Sequence, residues 1–107
     1  MTTTLGHVPP TLEVVLRNRD RILEVAARHG ATNVGVFGSV ARGDATEESD
    51  IDIIVDIVER LEHVLYFGQI GDLKREFSLI TGYPVDVLDR LGTGQLGRDV
   101  IRGIIHL

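Results

Sequence analysis

The sequence predicts a small α/β fold: a mixed sheet of three to four strands with helices packed on one face. Two segments carry apolar residues at helical spacing, and three short runs are rich in β-branched residues. Helical and strand-like segments alternate along the chain, which is typical of a sheet with helical crossovers.

A first helix is predicted from Thr11, which suits an N-cap, to the vicinity of Gly30, which suits a C-terminal cap. Its apolar residues share one side: Leu12, Val15, Leu16, Ile22, Leu23 and Ala26. Residues 1–10 end in a Pro-Pro pair and are expected to form a flexible lead.

Two strands are predicted in the middle of the chain, with a tight turn or single helical turn over residues 38–43 after the first. The first strand is a short apolar run over residues 34–37. The second, over 50–58, alternates at its start, so that Asp50 and Asp52 point to one side and isoleucines to the other.

The second half of the chain predicts a helix over residues 65–81, a strand over 84–88, a weak helix within 92–103 and a terminal strand over 104–107. An apolar stripe marks the long helix, formed by Tyr66, Ile70, Leu73, Phe77 and Ile80. The stripe is interpreted as core, with docking of a partner as the less favoured alternative.

Composition excludes several classes of function. With 107 residues the chain is expected to form a single domain, 1–107. Its net charge of −5 and its lack of a basic cluster argue against direct nucleic-acid binding. The absence of cysteine excludes disulfides and thiolate metal sites, and no long apolar segment predicts membrane insertion. A cytoplasmic setting is expected.

The chemistry-bearing pattern is Gly38-Ser39, then ten residues, then Asp50-Ile51-Asp52. Gly38 allows backbone to approach a phosphate, and Ser39 opens a helical turn whose N–H groups favour anions. Carboxylates two apart on a strand share a face, so Asp50 and Asp52 are positioned to bind hard cations together. Asp86, on the strand over 84–88, is the candidate third ligand.

These segments resemble the polymerase-β-type nucleotidyltransferase superfamily, and in particular its smallest branch, the minimal nucleotidyltransferases. The resemblance rests on residues 38–43 (GSVARG), 49–55 (SDIDIIV) and 84–88 (PVDVL), and extends to 100–104 (VIRGI). The glycine-rich residues 92–97 depart from the family pattern and leave the start of the closing helix uncertain.

The resemblance implies a metal-dependent transfer of AMP from ATP. It assigns Asp50 and Asp52 to two Mg²⁺ ions, and Asp86 to the catalytic one, where it helps to deprotonate the attacking hydroxyl. Gly38 and Ser39 would hold the triphosphate.

Arg42 would steady the turn or touch phosphate, and the alternative for it is a structural ion pair. Members of this branch are commonly antitoxins that modify a tyrosine of a HEPN-type ribonuclease toxin. A homo- or hetero-oligomer is therefore also expected.

Other interpretations remain open. The chain could be a catalytically silent antitoxin that acts by binding alone, or its acceptor could be an RNA end or a small molecule. A phosphohydrolase also places Asp-x-Asp on a strand, but that chemistry leaves the Gly38-Ser39 turn unexplained.

The site residues also have structural alternatives. Ser39 could be a plain N-cap, Asp86 a strand-end acid, and the Asp50–Asp52 pair a solvated strand edge. The remaining acidic residues in these regions are interpreted as solvated charges: Asp44, Glu47, Glu48, Asp56 and Asp89.

Overall fold

The alternating helical and strand-like segments form one four-stranded sheet with its helices in a layer against it. A computed structural model describes residues 8–59, 63–92 and 103–107. The helices are α1 (Leu12–Arg17), α2 (Arg19–Arg28), α3 (Gly38–Arg42) and α4 (His63–Thr81). The strands are β1 (Ala31–Phe37), β2 (Ile51–Ile57), β3 (Val85–Asp89) and β4 (Ile105–His106).

The strand order is β3-β2-β1-β4. Strand β1 runs antiparallel to both β2 and β4, whereas β2 and β3 are parallel. A parallel neighbour requires a crossover, and α4 supplies it between β2 and β3. The predicted mixed sheet with helices on one face is confirmed.

The predicted N-terminal helix is divided in two at Asn18, so its prediction as one continuous helix is wrong. Thr11 is the N-cap of α1, and its hydroxyl accepts a hydrogen bond from the Val14 N–H at 3.3 Å. The side-chain amide of Asn18 donates to the Val14 carbonyl at 2.8 Å. An asparagine that bonds nearby backbone in this way competes with helical geometry, which explains the break.

The core lies between the sheet and the two longer helices. Ile22 of α2, Val36 of β1, Ile53 of β2 and Phe77 of α4 are fully buried there. The predicted α4 stripe is core: Leu73 and Phe77 are buried, and Tyr66, Ile70 and Ile80 pack against the cluster. The structure begins α4 two residues before the predicted start and ends it where predicted.

On the opposite face of the sheet, Gly35 lies directly against Ile104, which precedes β4. A Cβ on Gly35 would lie 2.5 Å from Cγ2 of Ile104, and Ile54 on the same face is fully buried. Glycine at position 35 therefore leaves room for the Ile104 side chain. The predicted terminal strand is present as β4, whereas nearly all of the weak helix predicted within 92–103 lies outside the described residues, as does most of the lead over 1–10.

Strand β1 begins at Ala31, three residues before its predicted start. The sequence pattern missed these first residues because they contain a backbone irregularity. Asn33 has a φ of 53°, and the β1–β2 register shifts between Thr32 and Gly35. Asparagine tolerates the left-handed conformation better than most residues, and its side-chain amide donates to Asp56 at 2.9 Å. An irregular start of this kind leaves no alternating pattern to detect.

Two acids predicted to be solvated are instead structural, so that prediction is wrong for Asp56 and Asp89. Asp89 is 3% exposed and accepts hydrogen bonds from the Ile57 N–H, the Leu91 N–H and the Tyr66 hydroxyl. Asp56 pairs with Arg90 at 2.6 Å. Backbone groups at the end of β2 need partners when buried, and Asp89 supplies one.

None of the described helices combines the length and the apolar character needed to cross a bilayer.

Leucine-to-alanine changes on opposite faces of α4 test the position of the core. Leu73→Ala is expected to lower the free energy of unfolding by about 2–5 kcal/mol because it opens a cavity in the core. Leu79→Ala should change it by less than about 0.5 kcal/mol. Leu73 is 0% and Leu79 77% exposed. Urea denaturation measures both, and similar losses would contradict the placement of α4.

Candidate active site at the β1–α3 turn

Gly38 brings the end of β1 into contact with β2. Its φ is +74°, a conformation that side chains other than glycine rarely adopt. A Cβ at this position would collide with the Asp52 carboxylate oxygen Oδ2. Glycine is therefore required here both by the backbone conformation and by the proximity of that carboxylate.

Helix α3 is a short turn that starts at this glycine. Its N-cap is Phe37, so Ser39 lies inside the helix and is not the N-cap that the structural alternative proposed. Val40 is buried and anchors the turn, and the Ser39 carbonyl accepts hydrogen bonds from the Gly43 and Asp44 N–H groups. The Ser39 side chain is half-buried on the same turn as Gly38.

The sheet register brings the predicted carboxylates together. Asp52 is the cross-strand partner of Phe37 on β1 and of Asp86 on β3. Asp50 immediately precedes β2 and is exposed, as is Asp86, whereas Asp52 is half-buried. Because β2 lies between β1 and β3, one aspartate faces both the glycine turn and the third acid. The two aspartate-bearing strands, β2 and β3, are therefore direct neighbours in the sheet.

The electrostatics of this cluster are unfavourable to a negative charge on Asp52. Burial raises the pKa of the Asp52 carboxyl above its ordinary value of 3.8, and the charges of Asp86 and Asp50 raise it further. Arg42 opposes this shift and lowers the pKa. The three acids thus interact strongly enough to repel one another, which favours a site that binds cations.

Two basic residues contact the acidic cluster or its turn. Arg42 donates from Nε to Asp44 at 3.3 Å, so the ion pair considered as one alternative is present, and a phosphate contact by Arg42 stays a prediction. Lys74 of α4 pairs with Asp86, with Nζ 3.2 Å from Oδ1. Sequence reasoning missed Lys74, because only the packing of α4 against β3 places it beside this acid.

The donor set fits a hard divalent cation in its chemistry. Carboxylate oxygens are ligands that Mg²⁺ accepts, and Asp50, Asp52 and Asp86 are electrostatically coupled. Across residues 8–59, 63–92 and 103–107, however, no group of three His, Cys, Asp or Glu side chains is arranged to hold a metal ion. One oxygen of Asp86 is instead directed to Lys74. The metal roles of these three aspartates stay a prediction.

Replacing Gly38 tests the contact with Asp52, and Gly82 provides a matched control. Gly82 has a similar φ of +80°, but a Cβ there meets nothing within 4 Å. Gly82→Ala is expected to cost about 1–2 kcal/mol from backbone strain alone. Gly38→Ala should cost more because the Asp52 side chain must also move. Equal losses of unfolding free energy in urea would show that the carboxylate does not contact the turn.

Replacing Asp52 tests the electrostatic cost of the cluster. Since the folded-state pKa of Asp52 is raised, the unfolded chain binds fewer protons in this range, and stability falls as pH rises from about 3.8 through the raised pKa. Asp52→Asn removes this cost. We therefore expect the variant, in chelator, to unfold at a higher temperature than the wild type at pH 7, with the difference vanishing at low pH.

Glu48→Gln is the control for this experiment, because it removes a charge from an exposed residue of the loop before β2. It should leave the unfolding temperature nearly unchanged at both pH values. A wild type that is more stable than Asp52→Asn at pH 7 would contradict the unfavourable environment assigned to this carboxylate.

Comparison with known proteins agrees with this geometry. Residues 19–106 match the nucleotidyltransferase domain family. The chain is 34% identical over 86 residues to the protein adenylyltransferase MntA of Thermococcus cleftensis, an alignment that covers 78% of this chain and 82% of that protein.

Solved structures show the same fold. One, described as that of a minimal nucleotidyltransferase, superposes with a TM-score of 0.71 at 37% identity and covers 91% of this chain and 96% of that chain. Another, a toxin–antitoxin crystal structure with AMP-PNP, gives a TM-score of 0.65 at 22% identity, covering 83% and 71% of the two chains. The family match spans the glycine turn and all three aspartates, and the chain therefore belongs to the nucleotidyltransferase domain family.

Proposed function

We propose that this chain is a protein adenylyltransferase that moves AMP from ATP onto a tyrosine hydroxyl of a HEPN-type ribonuclease toxin, and thereby acts as its antitoxin. One observation carries the proposal: the Gly38 turn touches Asp52, and Asp52 is paired in register with Asp86. A phosphate-approachable turn and a coupled acidic cluster meet at one edge of the sheet, as nucleotidyl transfer requires.

Each residue of the candidate site has a separate role in the proposed transfer. Gly38 and Ser39 bind the triphosphate at the turn, and Arg42 lies close enough to the cluster for its charge to lower the pKa of Asp52. Asp50 and Asp52 would hold two Mg²⁺ ions, and Asp86 would hold the catalytic one. When bound, these ions supply positive charge that stabilises the attacking and leaving oxygens.

The reaction balances without any further reagent. The acceptor hydroxyl oxygen forms a bond to the α-phosphorus of ATP, and the bond from that phosphorus to the bridging oxygen of the β-phosphate breaks. Pyrophosphate leaves with the electron pair, and Asp86 accepts the hydroxyl proton.

The nature of the acceptor is supported by the relatives. The Thermococcus cleftensis relative is named a protein adenylyltransferase, and the AMP-PNP structure is of a toxin–antitoxin. The net charge of −5 disfavours an RNA acceptor. Leu65, Phe67 and Leu79 of α4 are large apolar side chains that are individually exposed and available for contact with a protein partner.

A second candidate function is neutralisation by binding alone, with the acidic site inactive. The same exposed apolar residues of α4 favour it, since a docking surface needs no catalysis. The two functions differ in what they require of Asp50 and Asp52, so substitution at these positions separates them.

We expect Asp52→Asn to lower AMP transfer at least about a hundredfold, because it removes a metal ligand at the reacting phosphate. The assay combines the purified chain, its proposed toxin partner, Mg²⁺ and ATP labelled at the α-phosphorus, and follows label on the toxin. Glu48→Gln, which removes one exposed charge from the loop before β2, should retain full transfer. Mass spectrometry should place the label on a tyrosine.

The Asp50→Asn variant distinguishes catalysis from binding. If the chain is an adenylyltransferase, this variant still forms the complex but no longer protects cells from the toxin. Retained protection without label would instead support neutralisation by contact. Absence of label on the toxin with the wild-type chain, when complex and Mg²⁺ are both present, would refute the proposed transfer.

A further inference from the structure

Lys74 forms an ion pair with the third acid of the candidate site. Its Nζ lies 3.2 Å from Oδ1 of Asp86, and the same oxygen accepts a hydrogen bond from the Val87 N–H at 3.1 Å. The Lys74 side chain is 45% exposed and that of Asp86 61% exposed. The contact is therefore at the surface, where the lysine stem is free to swing away.

Asp86 belongs to the acidic cluster with Asp50 and Asp52, whose negative charges are only partly compensated by nearby basic residues. Asp86 and Asp50 both raise the pKa of Asp52, which shows that their negative fields overlap at this carboxyl. On the Asp52 side, Arg42 opposes the repulsion, although it also pairs with Asp44. Within the described part of the chain, Lys74 is the basic residue that pairs with Asp86.

We propose that Lys74 is a built-in counter-ion that competes with a divalent cation for Asp86. The inference rests on the proposed function, in which Asp86 is a ligand of the catalytic cation. In the metal-free protein the ammonium compensates Asp86; a bound cation takes over that oxygen, and the ion pair is broken. Lys74 therefore lowers the affinity of the site for metal and sets the cation concentration at which it fills.

The competition has a simple physical basis. An ammonium satisfies a carboxylate as a point charge on a flexible stem, whereas a hard cation needs the oxygen lone pairs directly. Even after it moves aside, a nearby lysine raises the local potential and disfavours a second positive charge. Since both side chains are largely solvated, removing the pair should change metal affinity only about two- to fivefold.

Helix α4 contains a matched control at the next position. Arg75 is exposed and pairs with Asp72 at 3.0 Å within the same helix, not with the acidic cluster. Arg75→Gln therefore removes the same formal charge from the same helix without touching Asp86. A difference between the two variants isolates the contact from the change in net charge.

Mn²⁺ binding to the full chain tests the inference, with free Mn²⁺ measured by electron paramagnetic resonance in the absence of nucleotide. Lys74→Gln is expected to bind Mn²⁺ about two- to fivefold more tightly than Arg75→Gln. Lys74→Arg keeps the charge and should stay near the wild type. Lys74→Met, which preserves the apolar stem, is a second neutral variant should the glutamine disturb α4.

A double-mutant cycle assigns the effect to Asp86. In an Asp86→Asn background the affinity gain from Lys74→Gln should disappear, because the competing carboxylate is gone. If Lys74→Gln and Arg75→Gln bind Mn²⁺ equally, or if Lys74→Gln binds it more weakly, the counter-ion role is refuted while the metal site itself stands. If no Mn²⁺ binding is lost in Asp52→Asn, the proposed metal site and the role of Lys74 both fall.

Discussion

The structure depends on the position of β2 between one antiparallel and one parallel neighbour. This arrangement makes Asp52 the direct partner of Phe37 on one side and of Asp86 on the other. The glycine that follows Phe37 then lies against the Asp52 carboxylate so closely that a side chain there would collide. The turn and the two acids lie together because β1, β2 and β3 are in register at Asp52.

Bringing these acids together has an electrostatic cost, and the basic residues of the fold compensate it only in part. A half-buried carboxyl with two acidic neighbours is disfavoured as an ion; Arg42 opposes this at Asp52, and Lys74 pairs with Asp86. Both basic residues are themselves solvated, so the compensation is modest. A cluster that stays partly uncompensated in the free protein is suited to cation binding, since the cation then relieves a repulsion already present.

The remainder of the fold supports this edge through apolar packing. Phe77 and Leu73 of α4 fill the core beneath the sheet, and the same helix presents Lys74 beside β3. At the end of β2 away from the site, the Asp89 carboxylate accepts hydrogen bonds from the Ile57 and Leu91 N–H groups, which the strand pairing leaves without a partner. Acidic residues of β2 and β3 thus form the candidate site at one end and make structural contacts at the other.

The sequence by itself determined the elements and the candidate site. The α4 stripe, the Thr11 cap and the strand carrying Asp52 follow from local periodicity and capping, which operate within a few residues. Gly38, Ser39, Asp50, Asp52 and Asp86 were identified because their spacing matches a required chemistry. Family membership confirms the class of protein, and the individual roles of these residues stay predictions.

Only the tertiary structure decided which charges are solvated and which are paired. Asp89 and Asp56 resemble surface acids in sequence, yet one is buried and the other is bound to Arg90. The pairing of Lys74 with Asp86 likewise arises from the packing of a helix on a strand. Local pattern carries no record of such contacts, because the partner of a charge is set by how separate elements cross in space.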